Sequence, residues 1–301
     1  MKASFDTPAS HSSAWHPTQS DGSVVDASIG HVLCQARKLD PAQVDKVLHY
    51  QGEHELRFGE AAMALGLVSR DDVLWALSQQ FHYPYVPGQE EGLDPELVAA
   101  ADPFSDEAEA FRGMRSQLML DQARPDQPAR ALAVLSPDVG DGKSYFAANI
   151  AITFSQLGGR TLLVDADMRT PRQHALFGLG DRPGLSSVLS GRCEASVVRP
   201  IQGLPSLHVL PVGTLPPNPL ELVQRPAFGL LMRELLAKFD HVVVDTPAAV
   251  HGADARVLAA KCGAALVIGR CRTTRMRALQ QMLHDLAKTG THMAGVMVNE
   301  Y

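Results

Sequence analysis

The stretch at positions 136–144, SPDVGDGKS, combines two glycines, a lysine and a hydroxyl side chain in a spacing suited to phosphate chemistry. Gly140 and Gly142 would let backbone N–H groups turn inward around an anion, and a helix that starts behind them adds its partial positive charge. The Lys143 ammonium would reach the outer phosphates of a nucleoside triphosphate, and the Ser144 hydroxyl would be a ligand of Mg²⁺. The residues predicted to contact the nucleotide are Gly140, Asp141, Gly142, Lys143, Ser144 and Tyr145.

The segments on either side of this stretch support the same interpretation. Ala131–Leu135 is short, apolar throughout and followed by turn residues, which is typical of a buried parallel strand. The Ala-rich segment 147–157 has helical character and is closed by Gly158. The strict GxxxxGK[ST] pattern would need glycine at Pro137, so an ordinary glycine turn is the alternative. Strand, glycine loop and helix in this order favour a phosphate-binding loop.

Acidic residues follow two further apolar runs, at the points where the predicted strands end. Asp165 and Asp167 come after the run 161–164, and Asp245 comes after the run 241–244. Ligands of open α/β sheets bind beyond the carboxyl ends of the strands, so we expect these side chains to meet the glycine loop in one crevice. A lone aspartate at such a position often only caps a turn or helix. Three motifs in this order indicate a shared site.

The rest of this region alternates between apolar runs and helical patterns. Further strands are predicted at 207–210, 264–268 and 294–298, with helices around 228–238 and 276–288. Such alternation predicts an α/β fold with a mainly parallel sheet that is covered by helices on both faces.

Four motifs within residues 107–299 resemble those of the bacterial tyrosine kinases of exopolysaccharide synthesis, which are P-loop NTPases related to the MinD/ParA ATPases. The glycine loop fits that family's SxxxGxGKS pattern. Segments 162–169 and 242–247 fit its DxDxR and DTP motifs, and 213–222 fits its GxxPPNPxEL segment. MinD-type ATPases carry an additional lysine early in the loop, and Asp138 at that position favours the kinase branch.

The resemblance implies an ATP- and Mg²⁺-dependent tyrosine autokinase whose catalytic residues are Lys143, Asp165, Asp167 and Asp245. It also implies that Ser144, Asp165 and Asp245 hold the Mg²⁺ ion, directly or through water. Asp167 would accept the proton of an incoming tyrosine hydroxyl, or would instead orient a hydrolytic water.

Partners and assembly are also implied by the resemblance. Glu109, Arg112 and Arg115 match the ExxRxxR pattern that joins neighbouring kinase subunits into a ring. Because they are three residues apart, they would share one helix face. A charged face exposed to solvent is the alternative to a role in subunit contacts. The kinases act with a membrane-embedded protein that determines polysaccharide chain length, which implies a cytoplasmic chain held at the inner membrane through that partner.

Two positions depart from the kinase pattern. The family commonly has threonine where this chain has Tyr145, which affects the expected contact to the α-phosphate. Many members also end in a tyrosine-rich tail that is autophosphorylated, whereas this chain offers Tyr301 as its final residue. Tyr301 is therefore the candidate phosphoacceptor, to be reached by a neighbouring copy within a ring.

Residues 28–51 align without gaps to residues 57–80, so the first part of the chain holds an internal repeat. Each copy predicts a short helix, a turn and a second helix, and Ser69 with Asp72 forms a predicted capping pair. The repeat resembles the N-terminal domain of type II secretion and pilus ATPases, some of which bind cyclic di-GMP. Arg57 keeps that family's leading arginine as a candidate second-messenger site, while the first copy has serine there. A helical docking module is the alternative.

The predicted organisation has four parts. Residues 1–26 show no apolar periodicity and are predicted to be disordered, and residues 27–87 form the helical repeat module. The acidic, proline-containing segment 88–106 is predicted to be a linker, and 107–301 is the kinase-like domain.

Composition narrows the functional classes. The formal net charge of −6 argues against unaided binding to nucleic acid or anionic lipid. The four cysteines show no CxxC spacing, which favours a reduced environment and argues against a metal site built from cysteines. No apolar stretch approaches the roughly 20 residues that cross a bilayer. Two alternatives to the autokinase stay open: an ATPase switch whose output is nucleotide-driven assembly, and a second-messenger-binding module.

Overall fold

The computed structural model of the chain describes residues 28–80, 92–122, 128–180, 182–192 and 197–300. The segment 1–26, predicted to be disordered, and the candidate acceptor Tyr301 lie outside these stretches. Within them, no helix is long and apolar enough to cross a bilayer.

Four helices form the N-terminal module, and the repeat in the sequence is also a repeat in the structure. The helices are α1 (Ile29–Gln35), α2 (Pro41–His54), α3 (Phe58–Ala64) and α4 (Arg70–Gln80). The equivalent glycines of the two copies stand at helix contacts. A Cβ on Gly30 would lie 3.0 Å from the Phe58 ring, and one on Gly59 would lie 2.7 Å from the Val73 side chain. Close helix packing therefore explains why both copies have glycine at this position.

Polar capping pairs mark the start of the second helix in each copy. The Ser69 hydroxyl donates to Asp72 Oδ2 over 2.7 Å, and the Asp72 N–H donates to the Ser69 hydroxyl over 3.1 Å. Asp40 and Gln43 form the equivalent reciprocal pair at the start of α2, with distances of 2.7 and 2.8 Å. The predicted cap at Ser69 is confirmed, and such caps typically contribute about 0.5–2 kcal/mol each.

The α/β part is built on seven strands: β1 (Ala131–Leu135), β2 (Thr161–Asp165), β3 (Arg199–Ile201), β4 (Leu204–Leu210), β5 (His241–Asp245), β6 (Gly263–Arg270) and β7 (His292–Asn299). They form one sheet in the order β3–β4–β2–β5–β1–β6–β7. Neighbouring strands are parallel except for the antiparallel pair β3–β4. The predicted mainly parallel sheet is confirmed, and β3 is a strand that the apolar pattern did not predict.

Helices cover both faces of this sheet, as predicted. They are α5 (Val98–Ala101), α6 (Asp106–Gln122), α7 (Lys143–Ser155), α8 (Gln173–Leu176), α9 (Leu185–Leu189), α10 (Pro219–Gln224), α11 (Pro226–Lys238), α12 (Asp254–Cys262) and α13 (Met276–Ala287). Successive side chains of a strand point to opposite faces. Leu132 and Val134 of β1 join the core under α5, α6 and α7, whereas Ala131 and Ala133 join the core under α11, α12 and α13. Every residue of β1 is buried as a result.

The segment that was expected to be a linker, 88–106, differs from that expectation in its described part. Leu97 is fully buried, and the short helix α5 packs against α7. The Ala99 N–H donates to Asn149 Oδ1 over 3.0 Å, and Gln156 Nε2 donates to the Ala99 carbonyl over 2.7 Å. Apolar side chains and satisfied backbone groups therefore make this segment part of the α/β core, although its acidic and proline residues resemble those of a linker.

Candidate nucleotide and phosphoryl-transfer site

The glycine loop connects the end of β1 to the start of α7, in the strand–loop–helix order that the sequence predicts. Gly140 has φ of +87° and Gly142 has φ of +96°, in the left-handed region that favours glycine. A Cβ on Gly142 would also lie 2.3 Å from the Asn299 amide nitrogen. The loop backbone therefore requires glycine at position 142 for two separate reasons.

Asp141 stabilises the loop through hydrogen bonds of its side chain and its backbone carbonyl. Its buried carboxylate accepts a hydrogen bond from the Asp138 N–H over 2.9 Å and one from the Thr274 hydroxyl over 2.7 Å. Asn299 Nδ2 donates to the Asp141 carbonyl over 3.2 Å. The Asp141 side chain thus fixes the loop to the segment after β6, and its carbonyl fixes the loop to the end of β7. The Asp141 backbone N–H is the group that can face a phosphate.

The acidic residues predicted to converge on the loop do meet there. Asp165 and Asp245 end the neighbouring strands β2 and β5, and they pair with each other in the strand register. Lys143, the first residue of α7, places its Nζ 2.9 Å from Asp167 Oδ2. The three carboxylates are fully buried, and the Lys143 side chain is only 7% exposed. The convergence of the three motifs in one crevice is confirmed.

Gln173 connects the members of this cluster, and none of the sequence motifs predicted a role for it. Its Nε2 donates to Asp245 Oδ2 over 2.8 Å and to the Ser144 carbonyl over 3.0 Å. Its backbone N–H donates to Asp165 Oδ2 over 3.1 Å. Gln173 begins the four-residue helix α8, which is too short to give a periodic pattern, so only its proximity to the DxDxR motif could have indicated it.

Asp167 is oriented by the turn that follows it. The Thr170 hydroxyl donates to Asp167 Oδ2 over 2.9 Å, and the Thr170 N–H donates to Asp167 Oδ1 over 2.8 Å. Arg169, next to it in the DxDxR motif, turns away to pair with Asp254 over 3.1 Å. One carboxylate oxygen of Asp167 is therefore held by the turn, while the other is shared between Thr170 and Lys143.

Burial and mutual repulsion raise the pKa values of the strand-end carboxyls. Burial raises the pKa of Asp165 well above its ordinary value, and the neighbouring Asp245 carboxylate raises it further. Burial also raises the pKa of Asp245, against the opposing effect of Lys143. Burial alone would lower the pKa of Lys143, but the carboxylates of Asp245 and Asp167 outweigh it and the pKa is raised. The cluster thus carries an excess of negative charge that a cation would neutralise.

The oxygen donors of the cluster fit a magnesium ion. Asp245 Oδ1 and Gln173 Oε1 are buried and have no hydrogen-bond partner among the described residues. The Ser144 side chain hydrogen-bonds the Asp245 carboxylate. No group of three or more His, Cys, Asp or Glu in the described ranges could hold a metal by itself. Mg²⁺ is usually bound by one or two carboxylates together with substrate phosphates and water, and Asp245 with the Ser144 side chain supplies oxygen donors of that kind.

Tyr145 lies beside the loop, but its side chain is directed toward α6. Its hydroxyl donates to Glu107 Oε1 over 2.5 Å, and its ring packs edge-on against Phe111 with centroids 5.7 Å apart. A cavity of about 470 Å³ lies between this pair and the end of β7, next to Gly142 and Asn299. The backbone of Tyr145 is therefore the part of this residue that remains directed toward the predicted phosphate site.

The three residues predicted to join subunits lie on α6 as expected, and all three also make contacts within the chain. Arg112 Nε donates to Glu109 Oε2 over 2.6 Å, and another Arg112 nitrogen donates to the Pro103 carbonyl over 2.5 Å. Arg115 donates to the Thr153 carbonyl of α7 over 2.7 Å. The Glu109 side chain is 71% exposed. The ring-forming role of these residues stays a prediction.

Arg57 lies in the N-terminal module, at the residue before α3. It is exposed, and its backbone N–H donates to Glu60 Oε2 over 2.8 Å. Its equivalent in the first copy, Ser28, is likewise exposed and precedes α1. A second-messenger site at Arg57 stays a prediction.

Tyrosine-protein kinases are similar to this chain over about two thirds of its length. The tyrosine-protein kinase YwqD of Bacillus subtilis is 33% identical over 204 residues, which cover 67% of this chain and 85% of YwqD. The tyrosine-protein kinase Wzc of Salmonella typhimurium is 31% identical over 205 residues, which cover 68% of this chain and 28% of Wzc. The chain therefore corresponds to little more than a quarter of that longer relative. No protein-family model matches the chain.

Solved structures are also similar to this chain. The chimerical protein CapA2B2 is 30% identical with a TM-score of 0.65, over 77% of this chain and 99% of that one. The kinase domain of the Escherichia coli tyrosine kinase ETK is 25% identical with a TM-score of 0.66, over 70% of this chain and 82% of that one. The cell division ATPase MinD of Pyrococcus furiosus, 22% identical with a TM-score of 0.51 over 58% of this chain and 73% of that one, shares the fold alone. The chain belongs to the bacterial tyrosine-protein kinase family.

Proposed function

We propose that this chain is an ATP- and Mg²⁺-dependent protein tyrosine autokinase. The observation that carries the proposal is the buried cluster at the carboxyl ends of β1, β2 and β5, where Lys143 lies 2.9 Å from Asp167 and next to Asp165 and Asp245. Buried charges of this kind are costly unless they are paired or bind a ligand. Membership of the tyrosine-protein kinase family supports a role of this cluster in phosphoryl transfer.

Lys143 and the loop amides would hold the β- and γ-phosphates of ATP. Ser144, Asp165 and Asp245 would hold Mg²⁺, which supplies neutralisation of the charge that develops on the transferred group. Because burial raises the pKa values of Asp165 and Asp245, a bound cation would favour the ionised forms of these carboxyls. Gln173 would keep the Asp245 carboxylate turned toward the ion through its 2.8 Å hydrogen bond.

The transfer itself needs one proton acceptor. The tyrosine oxygen forms a bond to the γ-phosphorus, the bond from that phosphorus to the bridging oxygen breaks, and ADP leaves with the electron pair. The phenolic proton passes to Asp167, whose second oxygen is held by the Thr170 N–H over 2.8 Å. Lys143 would release Asp167 Oδ2 as it turns toward the phosphates, which frees that oxygen to accept the proton.

The finer assignments follow the family resemblance. The chain would act with a membrane-embedded partner that determines the length of an exported polysaccharide, and it would lie at the inner membrane through that partner. Glu109, Arg112 and Arg115 on α6 would join copies into a ring. Tyr301 of one copy would be the acceptor for the site of the next.

The experiment is a phosphotyrosine and intact-mass measurement after incubation with Mg²⁺-ATP, with and without a cytoplasmic segment of the partner. Phosphotyrosine is expected in the wild type and in Lys238→Met, an exposed lysine on α11, and is expected to be absent in Lys143→Met. Peptide mapping and Tyr301→Phe then locate the acceptor. Equal phosphotyrosine in Lys143→Met and wild type would overturn the proposal.

A nucleotide-driven assembly switch is the second candidate. The small number of tyrosines, five in the whole chain, favours it. Such a switch would show ATP turnover and nucleotide-dependent self-association without phosphotyrosine, even with the partner segment present. Cyclic di-GMP binding by the N-terminal module is a separate question, and calorimetric titration of wild type against Arg57→Ala tests it.

A further inference from the structure

Two adjoining cavities form one groove beside the phosphoryl-transfer site. Their volumes are about 510 and 400 Å³, and both are lined by Ser187, Thr214 and Leu215. We name this feature the basic groove because Arg182, Arg192 and Arg225 line it. Its lining also includes Pro171, His174 and Ser187.

The floor of the basic groove is formed by two backbone segments that approach each other closely. The Leu185 N–H donates to the Pro211 carbonyl over 2.8 Å. A Cβ on Gly184 would lie 2.0 Å from the Pro211 oxygen, and one on Gly213 would lie 2.5 Å from the Gly184 nitrogen. Gly213 is the first residue of the GTLPPNPLEL segment. That segment therefore shapes the groove and does not enter the nucleotide cluster.

One end of the basic groove begins at the catalytic cluster. Pro171 directly follows Thr170, which holds Asp167, and His174 directly follows Gln173, which holds Asp245. Both Pro171 and His174 line the groove. A polypeptide lying in the groove would therefore reach the position where a tyrosine hydroxyl meets Asp167.

The charges along the basic groove are not neutralised within the described part of the chain. Arg182, Arg192 and Arg225 are exposed and form no ion pair there, and Glu221 is the one acidic residue among the described lining. Arg169, which does not line the groove, differs from these arginines because it forms an ion pair with Asp254 over 3.1 Å. Arginine is well suited to paired hydrogen bonds with carboxylates.

We propose that the basic groove binds an acidic protein segment that carries the acceptor tyrosine, and that it makes this kinase prefer tyrosines flanked by glutamate or aspartate. The inference rests on the proposed autokinase function and adds the class of acceptor. The charge complementarity of three unneutralised arginines selects an acidic occupant over a neutral or basic one.

The test compares two synthetic peptides that differ only in charge, one with glutamates around a single tyrosine and one with glutamines. The wild type is expected to phosphorylate the acidic peptide with a KM about five- to tenfold lower at low salt, with kcat similar, because two or three exposed ion pairs are each worth little. Raising the salt concentration should remove the difference. Equal KM values for the two peptides at low salt would overturn the proposal.

Arg192→Gln/Arg225→Gln is the test variant, and Arg233→Gln, an exposed arginine of α11 outside the groove, is the matched control. The double variant should lose the preference for the acidic peptide and keep the wild-type KM for ATP, whereas the control should keep both. A double variant that retains the full preference would show that these arginines are only a solvated face, which overturns the proposal.

Binding without catalysis separates this inference from the proposed function. A fluorescent acidic peptide with phenylalanine in place of tyrosine should bind the wild type and should bind the double arginine variant at least fivefold more weakly. If no tyrosine is phosphorylated but this difference is present, the groove assignment stands and the kinase proposal fails. If phosphorylation is present but the peptide binds both proteins equally, the groove assignment fails alone.

Discussion

The charged residues of the α/β core and those of the N-terminal module differ in where they lie. Lys143 and Asp167 form a buried pair, with side-chain exposures of 7% and 0%. The Lys38–Asp72 pair of the module is on the surface, with exposures of 52% and 21%. Exposed pairs are worth about 0–1 kcal/mol, whereas a buried charge that loses its partner costs about 3–5 kcal/mol. Charges retained inside the core therefore indicate chemistry, and the surface charges of the module carry no such indication.

The glycines of the two regions differ in the same way. Gly142 of the loop needs glycine for its backbone conformation and for space beside Asn299, and the loop contributes backbone groups to the site. Gly59 of the module lies in an ordinary helix and needs space alone, because Val73 packs against it. The first glycine serves a ligand site and the second serves helix packing. Substitutions can separate these two roles.

Gly142→Ala should have the largest effect. The methyl group displaces the Asn299 amide, which breaks its 3.2 Å bond to the Asp141 carbonyl, and φ of +96° is strained for alanine. Left-handed strain and one lost hydrogen bond together cost about 2–4 kcal/mol of unfolding free energy. Urea unfolding measures this loss of stability, and nucleotide affinity should fall as well.

Gly140→Ala is the control, since it has φ of +87° but no atom within 4 Å of the added Cβ, and should cost about 1–2 kcal/mol. Equal losses in the two variants would contradict the role of Asn299.

Gln173→Leu should follow in size. The change removes the donor to Asp245 Oδ2 and to the Ser144 carbonyl, so the metal-binding carboxylate is no longer oriented. Loss of such a supporting residue typically lowers metal affinity or activity by about 10- to 100-fold. Titration of Mg²⁺ in the presence of ADP measures the affinity.

Gln156→Leu is the control for Gln173→Leu, because Gln156 also donates to a carbonyl, that of Ala99, over 2.7 Å but lies away from the cluster. It should lower stability and leave the Mg²⁺ affinity unchanged. Unchanged Mg²⁺ affinity in Gln173→Leu would remove Gln173 from the site.

These residues also show which features of the fold and the site could be predicted from the sequence and which could not. The strand Ala131–Leu135 and the motifs ending in Asp165, Asp167 and Asp245 were predictable, because uninterrupted apolar runs and strand-end acids are local patterns. Gln173 was not, because its importance comes from contacts to residues that are 29 and 72 positions away in the chain. The acidic and proline residues of segment 88–106 predict a linker, and this composition gives no indication that Leu97 is buried.

The pH dependence of stability should distinguish buried acids from exposed ones. The pKa of Asp165 is raised in the folded chain by burial and then by Asp245, so the folded state keeps the proton to higher pH than the unfolded state. Stability from this group is therefore lost as pH rises from about 4, the ordinary pKa, through the folded value. Asp165→Asn should become more stable relative to the wild type over that range, as measured by urea unfolding of the nucleotide-free chain.

Asp240→Asn should show the opposite sign. Hydrogen bonds from the Arg160 backbone and side chain lower the pKa of this exposed carboxyl, so its contribution is present above pH 4 and lost as pH falls. The variant should lose stability relative to wild type at neutral pH and regain it in acid. A shared sign for the two variants would mean that general charge, and not burial, sets the pH dependence.

Gly59→Ala in the module should have the most local effect. The added Cβ would lie 2.7 Å from a methyl group of Val73, which has to move, and overpacking of this kind costs about 1–2 kcal/mol. Gly52→Ala in α2 is its control, because no atom lies within 4 Å of that Cβ, and alanine in a helix should add about 0.5–1 kcal/mol. Hydrogen exchange of α3 and α4 should accelerate in the first variant and not in the second, while nucleotide turnover stays at the wild-type rate in both. A loss of turnover in Gly59→Ala would show that the module's packing controls the phosphoryl-transfer site, and the separation of the two regions would have to be given up.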